Sequence, residues 1–68
     1  MLLHVEAVGD ARVSLIDARS GAIVMGRYVA RAKKTHAPLP EGERVPDHHH
    51  YRRAISRGEL TLIEEVSP

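Results

Sequence analysis

Asp47-His48-His49-His50-Tyr51-Arg52-Arg53-Ala54-Ile55-Ser56-Arg57-Gly58-Glu59-Leu60-Thr61-Leu62-Ile63-Glu64-Glu65 contains a change of period. Tyr51, Ala54 and Ile55 recur at helical spacing, and Gly58 follows as the residue able to take a left-handed conformation past the last turn. Asp47, directly after Pro46, reads as the N-cap, its carboxylate accepting from the free amides of the first turn. Pro46 and Tyr51 then stand at the two positions of a hydrophobic staple. Arg52, Arg53 and Arg57 lie towards the negative end of the helix dipole, with Asp47 at the positive end. This predicts a helix within 47–58, with Val45, Tyr51 and Ile55 holding it to a sheet. From Glu59 the period becomes two, with Leu60 and Leu62 inward, which predicts a strand over 59–66.

Upstream, residues 1–34 read as β-rich. Leu3, Val5 and Ala7 alternate with His4 and Glu6, and Gly9-Asp10 punctuates. Arg12–Asp17 is a second strand candidate, with Val13 and Leu15 on one face. The turn Asp17-Ala18-Arg19-Ser20-Gly21 joins it to a third strand over Ala22–Ala30, making an antiparallel hairpin. Gly26 inside that third strand suggests a bulge or a close backbone approach. Residues 35–46 read as a proline-rich loop or arm, because Pro38, Pro40 and Gly42 crowd into five positions. The expected architecture is one α+β domain over 1–68: a small antiparallel β-sheet of three or four strands, an arm and one short capped helix. The first and last strands are the expected edges.

Composition narrows the function classes. The 68 residues include no Cys, Trp or Phe, which excludes a disulfide scaffold, a zinc–thiolate site and a thiol nucleophile. No apolar run approaches the ~20 residues that span a bilayer. The start, Met1-Leu2-Leu3-His4-Val5-Glu6, lacks a basic flank and a signal-length apolar core, so the chain is expected to stay where it is made, away from membranes. Ten Lys/Arg against nine Asp/Glu give no global pull towards nucleic acid. Below roughly 70–80 residues a lone core seldom supplies more than about 3–5 kcal/mol. With neither disulfides nor large aromatics, association with itself or with a larger assembly is the expected remedy.

No constellation points to catalysis. Ser14, Ser20, Ser56 and Ser67 have no nucleophile-elbow context, and Glu64-Glu65, adjacent on a strand, point to opposite faces. His48-His49-His50 sit about 100° apart on a helix, so they do not converge on one metal; they read as exposed residues of the first turn. Neither enzyme activity, a metal nor a cofactor is expected. Arg27, Arg31, Lys33 and Lys34, with Arg52, Arg53 and Arg57, form the basis of an alternative reading as a small nucleic-acid-binding or regulatory protein. Against it stand the near-zero net charge and only two tyrosines for stacking.

Pro38-Leu39-Pro40-Glu41-Gly42-Glu43-Arg44-Val45-Pro46-Asp47, Tyr51-Arg52-Arg53-Ala54-Ile55 and Gly58-Glu59-Leu60 together resemble a family of very short proteins of contractile-tailed, Mu-like bacteriophages, encoded among the tail genes beside the sheath gene. The resemblance covers about residues 38–63; residues 1–34 have no counterpart, and Ile55 stands where leucine is usual. It implies a non-catalytic protein of virion morphogenesis. The expected function is therefore structural: a component of the tail or head–tail region, in the virion and, during assembly, in the host cytoplasm. Its expected partners are larger repeated virion proteins, and possible self-association is included. Sheet edges and the 35–46 arm are expected to dock, with Arg31, Lys33, Lys34, Pro38, Pro40, Arg52 and Arg53 in contact. Val45, Pro46, Asp47, Tyr51, Ile55 and Gly58 are expected to be structural.

Overall fold

The computed structural model describes residues 1–67. It is a small α+β fold of five strands and one helix: β1 Leu2–Ala7, β2 Ser14–Ile16, β3 Ile23–Tyr28, β4 Glu43–Pro46, α1 His49–Ser56 and β5 Leu60–Val66. The strands form two antiparallel sheets, one ordered β4-β1-β5 and the other pairing β2 with β3.

β1 occupies the centre of the larger sheet, which corrects its expected place at an edge. Leu3 and Val5 alternate with half-buried His4 and exposed Glu6, and both apolar side chains are fully buried. Leu3 lies opposite Val45 of β4 on one side and Glu65 of β5 on the other. Val45, Leu60, Val13, Ile16, Val29, Ala30, Tyr51 and Ala54 complete the core, with Ile55 and Leu62 packed against it. β5 is an outer strand, as the sequence suggests.

The 35–46 arm needs correction as well. Its second part, Glu43–Pro46, pairs with β1 as β4, because Val45 brings an apolar side chain to the core face. Pro46 ends an outer strand opposite Leu2, a position where a missing N–H is tolerated. The remainder folds back instead of extending: the Ala32 amide donates to Ala37 O at 2.8 Å, Leu39 N to Ala30 O at 2.8 Å, and Arg31 pairs with Pro38. Gly42, buried with φ +71°, closes this excursion so near β1 that a Cβ would collide with the Val5 carbonyl oxygen. His4 fastens the same turn from the sheet, its Nε2 donating to Glu41 O at 2.6 Å.

The β2–β3 hairpin forms with the expected turn: Gly21 N donates to Asp17 O at 2.7 Å and Asp17 N to Ala22 O at 2.9 Å. The pairing register shifts between Ser14 and Ile16, and Gly26 at φ +74° lies in the part of β3 opposite that irregularity, as the sequence suggests. Val13 O accepts from Val29 N, so residues 13 and 17 turn their main chain towards β3 while 14 and 16 turn theirs away. Among the described residues no strand lies beyond β2. The helix takes that place: His50 Nε2 donates to Ser14 O at 2.8 Å, and the Tyr51 hydroxyl accepts from Ile16 N at 3.2 Å.

Candidate functional site

The helix termini assign roles that differ from those expected at one end. His48, not Asp47, is the N-cap; its backbone is extended and its Nδ1 accepts from His50 N at 3.1 Å. Asp47 therefore moves one place out, and Asp47 with Arg52 takes the two staple positions expected for Pro46 and Tyr51. They are joined by a two-pronged ion pair, Nε to Oδ1 at 2.9 Å and Nη2 to Oδ2 at 3.0 Å. Arg52 also pairs with Glu65 of β5. Donation from Arg52 holds the Asp47 carboxyl below the usual aspartate range, and the two carboxylates raise the Arg52 pKa. Arg52 is thus a strut between helix entry and β5, already engaged within the chain.

At the other terminus Gly58, φ +80°, is the C′ residue as expected. Its N–H donates to Ile55 O at 3.1 Å, and Glu59 N donates to Ala54 O at 2.9 Å, the pair of bonds that defines a Schellman ending. The three histidines have separate tasks. His48 caps, His49 is exposed, and His50 is half-buried on β2, so the expectation of three exposed residues holds for His49 alone. Among the described residues no group of three His, Asp or Glu side chains is placed to hold a metal ion.

Arg31 departs furthest from the sequence reading. Expected on the surface with Lys33 and Lys34, it is 8% exposed. Its Nε and Nη2 donate to Ala11 O at 3.1 and 2.9 Å, its Nη1 to His36 O at 2.9 Å, and its Nη2 also to Gly9 O. A guanidinium is planar and carries five N–H donors, which suits it to gathering carbonyls from two loops. Arg31 is consequently an internal clamp between the 9–11 turn and the 32–37 turn, and it leaves both the proposed contact set and the basic set of the nucleic-acid reading. Lys33, Lys34, Pro38, Pro40 and Arg53 are exposed.

Arg53 faces a feature that sequence reading missed. A cleft of about 280 Å³ lies between the entry to β2 and α1, lined by Arg12, Val13, Ser14, His50, Arg53, Ala54, Arg57 and Glu59. Three arginines line it against one glutamate. Arg12 carries its guanidinium over the Tyr28 ring, Cζ 5.6 Å from the centroid, so its charged head rests on an aromatic face at the side of the cleft. Among the described residues, Arg12, Arg53 and Arg57 form no ion pair, in contrast to Arg52. The volume is small beside the roughly 300–1,000 Å³ of typical small-molecule sites. It suits one or two anionic groups. Spacing of four places Arg53 and Arg57 on one helix face, and that much was readable; the approach of Arg12 depends on the docking of β2.

No family model matches the chain, and comparison with curated proteins and with solved structures finds no match.

Proposed function

We propose that this chain is a non-catalytic structural protein of a tailed-bacteriophage particle, in the tail or head–tail region, that docks onto larger repeated virion proteins. The observation that carries the reading is the outer strand of the smaller sheet. Among the described residues β3 has a neighbouring strand on one side only, and it carries Ile23, 60% exposed, and Met25, 87% exposed. An open strand offers unpaired main-chain groups, and apolar side chains on it gain by being covered. Ile63, 44% exposed on outer strand β5, gives the larger sheet the same character. Residues 38–63, by their resemblance to the short tail-region proteins, support the virion setting. The exposed Lys33, Lys34, Pro38 and Pro40 of the 31–42 excursion extend the contact surface.

Docking by strand addition needs no reacting group, only a matching edge and a few registering charges. Gel filtration of the chain alone, then mixed with dissociated virion proteins, tests the reading. The expected result is a complex with a virion component that Met25→Asp and Ile23→Asp abolish without changing the far-UV spectrum. A monomer retained by none of the virion proteins overturns it.

A further inference from the structure

We propose that the cleft lined by Arg12, Arg53 and Arg57 binds the carboxylates of an acidic segment on a partner protein. This rests on the docking reading only for the class of partner; the cleft itself is argued from its own geometry. Arg53 in the last turn of α1 and the C-cap residue Arg57 lie four positions apart, a spacing at which like charges repel. The C-terminal end of a helix favours positive charge, which accounts for cations at 53 and 57. It does not account for Arg12, which the β2 side of the fold brings to the same cleft. Arginines from the end of the helix and from the segment before β2, none in an ion pair among the described residues, offer N–H forks that suit the planar two-oxygen geometry of a carboxylate. Val13 and Ala54, both buried, add two apolar residues to a lining that is otherwise polar or charged.

A nucleic-acid backbone fits less well. Glu59 on the lining opposes a continuous run of phosphates, and neither tyrosine is free to stack, since Tyr51 is buried and the Tyr28 face is covered by Arg12.

The test is fluorescence anisotropy with the full chain and three labelled probes: a peptide of alternating Asp and Gly, its Asn/Gly counterpart, and a DNA duplex. The Asp peptide is expected to bind and the Asn peptide not, with the duplex weaker than the Asp peptide. Arg53→Gln is expected to weaken Asp-peptide binding about tenfold. Arg53→Lys, which keeps the charge but loses the fork, is expected to weaken it too, whereas Arg19→Gln on the distant hairpin turn leaves it unchanged. Any of three results overturns the inference: no binding of the Asp peptide by the folded chain, equal losses in Arg53→Gln and Arg19→Gln, or tighter binding of the duplex. The docking reading fails separately. Binding of the peptide without retention of any virion protein sinks that reading alone, and retention of a virion protein without peptide binding sinks the cleft alone.

Discussion

The Tyr51 hydroxyl accepts the Ile16 amide at 3.2 Å, so a helix side chain occupies the place of a neighbouring strand at the edge of β2. The ring is 1% exposed, and its oxygen lies 3.5 Å from Ile16 O as well. Burial raises the Tyr51 pKa despite the opposing backbone hydrogen bond, and the nearby Glu43 charge adds to the rise. The neutral phenol is the form the fold selects.

Tyr51→Phe should therefore separate the hydroxyl from the ring. Loss of the oxygen leaves the Ile16 amide buried without its partner, for an expected cost of about 1–3 kcal/mol. Tyr51→Ala removes the packing too, for about 3–5 kcal/mol. Denaturant unfolding of the two variants checks the order; a Phe variant as stable as the parent contradicts the edge-closing role.

Arg31→Lys is expected to destabilise by about 2–4 kcal/mol even though the charge is kept, because one ammonium cannot reach carbonyls on both turns. Chemical denaturation gives the value. If Arg31 were a surface cation, the substitution would lie within about 0.5 kcal/mol of the parent.

Gly42→Ala is expected to cost about 2–5 kcal/mol, from a left-handed backbone that resists a side chain and from collision with the Val5 carbonyl. Gly21→Ala is the control. It has a similar φ of +76° but open space around it, so only the conformational part should appear. Equal melting temperatures for the two variants would remove the steric argument.

The Asp47–Arg52 pair makes stability depend on acid. Because the folded Asp47 pKa is lowered, its contribution is present above the unfolded value of about 3.9 and is lost as pH falls through the folded value. The gap in melting temperature between parent and Asp47→Asn should stay constant from neutral pH down to about pH 4 and close below it. A gap that persists in strong acid would show that the carboxylate charge is not what matters.

Much of the architecture is legible from local pattern. Leu3 and Val5 on β1, the Asp17–Gly21 turn, the bulge region at Gly26 and the Gly58 ending all follow from period or backbone freedom, which neighbours in sequence set. The N-cap was displaced by one residue because the His48 ring nitrogen reaches the His50 amide while Asp47 is drawn to Arg52. Propensity favours aspartate at a cap. It does not register a competing guanidinium five residues on.

The sequence by itself determined the class of fold, the existence and ending of the helix, the hairpin and the alternation that buries Leu3 and Val5 of β1. These depend on contacts within a few residues and on which side chains leave water. Only the tertiary structure decided that β1 lies centrally, that Glu43–Pro46 joins it as a strand, that Arg31 turns inward and that Arg12 lines one cleft with Arg53 and Arg57. Each of those joins segments well separated along the chain, and local pattern carries no information about which distant carbonyls or charges will share a site.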